Sequence, residues 1–574
     1  MISHPLQSIA GFDIRTRSVP SLQNSVHHHE LLNRLYLSRG ITDNTQLDTS
    51  LKSMLSFTQL KGIDDAVHLL RQAREQHWRV LIVGDYDTDG ATSTALAMLG
   101  LTAMGLQVDY LLPNRFEFGY GLSPEIVELA LTYKPDMILT VDNGIASIEG
   151  VALARAHGVR VLVTDHHLAA AVLPEADAIV NPNQPECAFP SKSACGCTVM
   201  YYVLIALRSA LRDEGFEPLP NLGQWLDLVS LATIADVVPL DDNNRRLVQQ
   251  GLNRVRAGQC RPGIKALFDV AGRSWQEAKS SDFGFIVGPR LNAAGRLDDM
   301  TIGVKLLLTE SDVEARLLAA QLHELNAERR NIEASMLHDV ERLTPRVEDF
   351  QDVYGAVVYG DNWHEGVVGI VASRIKDKLH KPVIAFADAG EEELKGSARS
   401  VPGVHLRDCL DWVSKQRPDL IAKFGGHAMA AGLTIPKNAL VEFKEWFSES
   451  IRCFADADAL VPHVWTDGEL PPSQLTLENA VLLEQAGPWG QMFPEPVFVG
   501  QWRVLESRIL ADRHLKLTLQ NGTDSLQAIA FNVPSEALQT GIRFIKACYQ
   551  LSCNRFRGET TLQLLLSRVE VTTE

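Results

Sequence analysis

From residue 78 onward the chain alternates short, unbroken apolar runs with amphipathic stretches: WRVLIVG, ATSTALAMLGLTAMG, VDYLLP, SPEIVELALTY, PDMILTV, SIEGVALARAHG, VRVLVT and ADAIVNP. Val, Ile and Leu runs without a polar face are strands buried on both sides, and the stretches between them carry helical spacing. The alternation predicts βαβ units, hence a parallel sheet covered on both faces. Ligands of such sheets bind beyond the carboxyl ends of the strands.

The pattern changes elsewhere along the chain. Residues 1 to about 60 are polar and irregular, and their His27-His28-His29 run reads as a solvated helix face or, less simply, a metal contact. A mostly helical stretch runs from about Tyr201 to residue 345. It closes on TESDVEARLLAAQLHELNAERRNIEASMLHDVERL, a long helix between two lobes with Pro345 beyond it. YGAVVYG opens a second α/β unit that runs to GGHAMAAGLTI. From Val497 short alternating strands and polar turns predict a small antiparallel barrel. The expected divisions are 1–60, a first α/β lobe at 61–305, the connecting helix at 306–345, a second lobe at 346–455, and the barrel at 461–574.

Composition narrows the class. The 574 residues are 45% hydrophobic and 22% charged, a globular balance. Lys plus Arg number 54 against 71 Asp plus Glu, a net charge of −17 that argues against nucleic acid unless the basic residues are local. From Gln501 to Glu574 nine Lys/Arg stand against seven Asp/Glu, so the barrel departs from that acidity. No run of about 18 apolar residues spans a membrane. The N-terminus lacks the apolar segment of a secretion signal, so a cytoplasmic location is expected. The cysteines form no C-x-x-C pair and read as reduced thiols.

The acidic residues gather where the sheet would bind. Asp85, Asp87 and Asp89 occupy alternate positions after VLIV, Asp142 follows ILTV, and Asp165-His166-His167 follow VLVT. Parallel strands stand about 4.8 Å apart, so acids at neighbouring strand ends can share one small volume, and like charges packed together need a cation. Each acidic turn alone could equally be solvated. Imidazoles beside oxygen ligands suit manganese or zinc better than calcium. Asp236 ends an apolar helical run, ATIADVVP, and adds another acid.

Taken in order, Asp85-Tyr86-Asp87-Thr88-Asp89-Gly90, Val141-Asp142-Asn143-Gly144, Thr164-Asp165-His166-His167 and Ile234-Ala235-Asp236 resemble the motifs of the DHH phosphoesterase superfamily. The similarity is greatest to its single-strand-specific DNA exonucleases. It extends through Gly288-Pro289-Arg290-Leu291-Asn292-Ala293-Ala294-Gly295-Arg296 and Gly425-Gly426-His427 to C-terminal strands similar to an oligonucleotide-binding (OB) fold. The resemblance implies a 5′→3′ exonuclease that degrades single-stranded DNA to mononucleotides with two divalent ions, Mn²⁺ or Mg²⁺. Two such ions about 3.5–4 Å apart neutralise the phosphoryl charge, generate hydroxide and stabilise the leaving oxygen. Implied ligands are Asp87, Asp89, Asp142, His166 and Asp236, with Asp142 bridging. Asp85 and His167 complete the site in roles left open, and Asp165 orients an imidazole.

In the second lobe, Gly425 and Gly426 before His427 let backbone N–H groups approach a phosphate, or simply make a tight turn. Arg115, Arg290, Arg296, Arg374 and Arg399, the last near Ser397 in GSARS, are either phosphate forks or halves of internal ion pairs. Trp502 and Arg503 offer the barrel a ring and a cation for a single strand, although the ring equally fits the barrel's own core. The passage between the lobes is expected to exclude duplex.

The resemblance also implies single-strand-binding protein and a helicase as partners, and roles in recombination and repair. Two other readings stay open: an oligoribonuclease or phosphodiesterase of the same superfamily, and a non-catalytic single-strand-binding scaffold. The C-terminal barrel disfavours the first, and the complete acid and histidine set disfavours the second.

Overall fold

A short strand, β1 (Asp13–Thr16), precedes the helix Glu30–Leu37. The computed structural model describes residues 13–21, 25–113, 121–343, 353–390, 392–456, 458–533 and 540–572. His27, His28 and His29 lie in a bend ahead of this helix and not on its face, contrary to the sequence reading. His29 is the N-cap residue, the His27 and His28 rings stack at 4.3 Å, and Leu31, Leu32 and Leu35 form the buried side.

The chain forms two compact units. One comprises Arg39–Ala327 with Gly487–Glu495; the other comprises Met1–Ser38, Glu328–Ala486 and Pro496–Glu574. The helix Asp312–Leu343 is 32 residues long and contains the boundary between them. Among the described residues no helix is long and apolar enough to cross a membrane.

The first unit is built on the expected parallel sheet. Its strands are β2 (Arg79–Gly84), β3 (Gln107–Leu111), β4 (Met137–Val141), β5 (Arg160–Thr164) and β6 (Ala178–Val180), in the order β3-β2-β4-β5-β6. Every pairing is parallel. Strands β2, β4 and β5 are buried along nearly their whole length, as their unbroken apolar runs require. Val83, Ile138, Val161 and Val163 pack with Ile126, Ala130, Val151 and Ala154 of the covering helices. The chain leaves β2 in one direction for β3 and returns on its other side for β4, so the carboxyl ends of β2 and β4 flank a topological switch point.

In the second unit β7 (Ala356–Tyr359), β8 (Val383–Asp388), β9 (Glu393–Arg399), β10 (Lys423–Gly426) and β11 (Ala430–Pro436) form a sheet in the order β10-β11-β9-β8-β7. Only β7 and β8 run parallel; the remaining pairs are antiparallel, so this α/β lobe carries a mixed sheet. Strand β12 (His463–Thr466) pairs in parallel with β1, which returns the N-terminal segment to this unit.

The C-terminal strands β13 (Phe498–Leu510), β14 (His514–Asn521), β15 (Asp524–Ala530), β16 (Phe544–Phe556) and β17 (Glu559–Thr572) close into a five-stranded barrel. It is antiparallel apart from the β15–β17 pair, which closes it in parallel. Alternation along β13 turns Trp502 and Val504 inward and leaves Arg503 exposed.

Candidate metal centre

The strand order places Asp85 after β2, Asp142 after β4, and Asp165-His166-His167 after β5, at three adjacent carboxyl ends. Asp236 reaches the same place as the C-cap of the helix Leu226–Ala235. Ligand atoms within 4.8 Å of one another form three groups: Asp142, His166 and His167; Asp89, His166 and Asp236; Asp85, Asp87 and Asp142. Asp142 and His166 each belong to two groups. His166 Nε2 lies 3.1 Å from Asp142 Oδ1, 3.5 Å from Asp236 Oδ2 and 3.8 Å from Asp89 Oδ2.

Local backbone chemistry fixes each side chain. Asp87 is the N-cap of the helix Thr88–Ala103, where its Oδ1 accepts the Gly90 N–H at 3.0 Å. Asp89, two residues further in, accepts the Gly196 N–H at 2.6 Å and the Cys197 N–H at 2.9 Å. These donors open the helix Gly196–Asp213, whose positive end therefore faces a carboxylate. Asp142 has φ 62°, the left-handed region that aspartate tolerates better than most residues. Val237, directly after Asp236, has φ 59°, a strained position for a β-branched residue, at a cost of about 1–3 kcal/mol.

Asp165 is committed to donors beside the acidic cluster. Its Oδ1 accepts from His167 Nδ1 at 2.7 Å and its Oδ2 accepts the Ile145 N–H at 2.9 Å. Burial opposes its ionisation, but the hydrogen bond and charge of His167 prevail and hold it below the usual carboxylate range. His167 responds in kind: burial works to lower its pKa, and Asp165, Asp85 and Asp87 together raise it to about 9.

The cluster fits a cation. Burial, then repulsion from Asp89 and Asp87, pushes Asp142 and Asp236 well above the normal carboxylate range. Burial and Asp89 raise Asp87 too, against the Gly90 N–H. Among the described residues Asp236 Oδ2 is a buried oxygen with no hydrogen-bond donor. A carboxylate oxygen without a donor, set among further acids and imidazole, is donor chemistry that suits a divalent ion such as Mn²⁺.

Sequence reasoning did not single out several residues that hold this site. Thr88 N–H and Oγ1 donate to Asn292 Oδ1 at 2.8 and 2.9 Å, which moors the acidic loop to the helix Gly288–Leu297. Gly295 lies so close to Tyr86 that a Cβ there would meet its carbonyl oxygen at 1.8 Å. Gly196 is the other omission. Glycine and asparagine inside a motif were the available signals, but partners about 100 to 200 residues distant are invisible to spacing.

The expected phosphate-binding residues are placed differently from one another. Arg115 lies outside the described residues. Arg290 is buried and donates to His323 Nδ1 at 3.2 Å and Ile286 O at 2.6 Å, while Arg296 is half-buried in the last turn of the same helix. Arg374 donates to Glu333 Oε1 at 2.7 Å. Trp502 is buried edge-on against Tyr549, with ring centroids 4.9 Å apart, so it fills the barrel.

Ser397, Gly432 and Gly425 stand in register across β9, β11 and β10. A Cβ at Gly425 or Gly432 would meet nothing within 4 Å, so this face leaves the backbone open. Arg399 is on the same face and donates to Ser397 Oγ at 2.9 Å. Gly426, at φ 137°, turns the chain toward exposed His427, whose N–H donates to Ala430 O at 2.8 Å.

A cluster of acids and imidazoles at the switch point of a parallel sheet, followed by a mixed-sheet lobe and a barrel, is the arrangement of a DHH-type phosphoesterase. Residues 79–233 match the DHH family, N-terminal domain, residues 352–452 match the DHHA1 domain, and residues 466–568 match the RecJ OB domain. The chain belongs to the RecJ family of single-stranded-DNA-specific exonucleases. It is 49% identical over 551 residues to the single-stranded-DNA-specific exonuclease RecJ of Salmonella typhimurium, covering 94% of this chain and 95% of that protein. Its identity to the Haemophilus influenzae protein of the same name is 48% over 568 residues, covering 97% and 99%. The crystal structure of Thermus thermophilus RecJ in complex with Mn²⁺ superposes with a TM-score of 0.82 at 29% identity, covering 98% of this chain and 80% of that one. A crystal structure of exonuclease RecJ bound to manganese gives 0.59 at 34% identity, covering 70% and 97%.

Proposed function

We propose that this protein hydrolyses single-stranded DNA from its 5′ end to mononucleotides, using two divalent ions, Mn²⁺ or Mg²⁺. Three ligand-distance groups, the first joined to the second by His166 and to the third by Asp142, carry this reading. Groups linked through common members match the need for two adjacent cations, and Asp142 would be the ligand held in common. Asp87, Asp89, His166 and Asp236 are the remaining ligands, with Asp85 and His167 completing the site. When bound, such ions neutralise the phosphodiester and lower the pKa of water to near neutrality.

The chain's own residues do the rest. Asp165 holds the His167 ring through Nδ1, leaving Nε2 for the site. The helix ends at Asp87 and Gly196 keep two carboxylates aimed without side-chain freedom. Ser397, Arg399, Gly425, Gly426 and His427 form a surface for the DNA backbone or its 5′-phosphate: glycines admit the chain closely, and the guanidinium supplies charge. Arg503 is the exposed cation retained for the barrel. Action in recombination and repair, on strands opened by a helicase and coated by single-strand-binding protein, belongs to the same reading.

The test is digestion of strands labelled at either end, with and without a 5′-phosphate, in Mn²⁺, Mg²⁺ or chelator. Ion-dependent release of mononucleotides from the 5′ end is expected, with Asp87→Ala and His166→Ala inactive yet folded. Release from the 3′ end, or turnover in chelator, overturns the reading.

A further inference from the structure

The dipeptide that carries both site histidines is gripped through its backbone from two directions. Asp165 Oδ1 accepts the N–H of His166 at 2.7 Å and of His167 at 3.1 Å. Their carbonyls are taken by amides from the end of the neighbouring strand: Asn183 Nδ2 donates to His166 O at 2.6 Å, and Asn181 Nδ2 donates to His167 O at 2.9 Å. The four polar backbone groups of the dipeptide are thereby all engaged.

Both asparagines belong to one turn, Asn181-Pro182-Asn183, directly after β6. Asn181 is fully buried, and its Oδ1 accepts the Asn183 backbone N–H at 2.7 Å, so the Asn181 side chain fixes the backbone from which the Asn183 amide projects. Pro182 stiffens the turn. Lys192 Nζ donates to Pro182 O at 2.7 Å, and Lys192 O accepts from Asn183 Nδ2 at 3.1 Å, closing the turn from its outer side. Such a turn needs no side-chain amides pointing at another strand. These two reach across to β5's extension, where the ring directions of His166 and His167 are decided.

We propose that Asn181 and Asn183 are positioning residues that aim the two histidines at the divalent ions. They touch no substrate and act through the carbonyls of His166 and His167. The inference rests on the metal-site reading given above. A ligand whose backbone is loosened binds its ion more weakly, and groups that orient ligands typically contribute about 10- to 100-fold in metal affinity or activity.

The test uses the full chain with Asn183→Ala, which removes the donor, and Asn183→Asp, which keeps the shape but offers only acceptors to the His166 carbonyl. Three quantities are measured: Mn²⁺ affinity from the paramagnetic resonance of the free ion, the Mn²⁺ dependence of nucleotide release, and KM for a single-stranded oligonucleotide. Both variants are expected to bind Mn²⁺ roughly tenfold or more weakly, to recover turnover at excess Mn²⁺, and to keep the wild-type KM. Should an Asn183 variant fail to fold, Lys192→Ala loosens the same turn with both asparagines intact, and the same direction of change is expected. Wild-type Mn²⁺ affinity in these variants, with or without a lowered melting temperature, overturns the proposal. Turnover of the unaltered protein without any divalent ion overturns the metal reading itself, a separate result.

Discussion

The Cα of Gly196 lies against the side chain of Asp142: a Cβ on this glycine would stand 2.6 Å from Asp142 Cβ and 2.7 Å from its Oδ1. The same glycine donates its N–H to Asp89. One residue without a side chain therefore sets the spacing between two carboxylates that belong to different ligand groups.

Gly196→Ala is accordingly expected to displace Asp142 or the start of the helix by several tenths of an ångström or more. Misplacement of about 1 Å at a reacting centre costs roughly 100-fold in rate, so a loss of that order in nucleotide release is expected. Far-UV circular dichroism should stay native, because the change sits at a helix end. An alanine variant with wild-type turnover would show that the site tolerates the shift.

Asp236 gives a prediction of opposite sign for stability and function. Its folded pKa is raised above the unfolded value by burial and by Asp89, Asp87 and Asp85. A carboxyl raised in this way favours folding at low pH, and that support is lost as pH climbs from the unfolded pKa towards the folded one. Asp236→Asn has no such loss. In chelator the variant should melt above the wild type at pH 8, and the gap should close near pH 4. With Mn²⁺ added, the order should reverse, since the proposed ligand set is complete only in the wild type. Calorimetry at both pH values decides the point.

The same elevated acids make metal binding a proton-releasing step. Asp142 and Asp236 hold protons more tightly in the metal-free protein than exposed carboxyls do. A divalent ion must displace those protons, so its affinity should fall as pH is lowered from 8 to 6. Titration calorimetry of Mn²⁺ in two buffers of different ionisation enthalpy reports the protons directly. Equal heats in both buffers would mean that no proton leaves.

Much of this site was legible because the parallel sheet turns sequence order into spatial order. Once WRVLIVG, ILTV and VLVT are strands, the residues after them share one edge, and Asp85, Asp142 and Asp165-His166-His167 follow. Asp236 was legible only as the end of an apolar helix. What stayed hidden depends on packing between distant segments. Arg374 and Glu333 are 41 residues apart on different helices, so spacing left Arg374 open between a phosphate fork and an internal ion pair, and the structure shows it holding a carboxylate. Trp502 reads equally as a stacking ring or as barrel core, and alternation along β13 places it inside. The parallel β15–β17 closure of the barrel likewise leaves no mark in a pattern of short strands.

Arg374 yields the last prediction, one that separates support of the fold from contact with DNA. Glu333 is 9% exposed in its side chain and is held by Arg374 Nε at 2.7 Å and by Arg329 Nη1 at 2.9 Å. Arg374→Ala takes one of two partners from a buried carboxylate. Because the Arg374 side chain is itself 43% exposed, solvent compensates part of the loss, and about 1 kcal/mol of destabilisation is expected. Glu333→Gln combined with Arg374→Ala should cost more than the single variant, since the Arg329 guanidinium, 11% exposed in its side chain, then loses the Glu333 carboxylate as well. Oligonucleotide affinity at fixed salt should change little in the single variant. A several-fold loss of affinity without a fall in melting temperature would instead return Arg374 to the DNA.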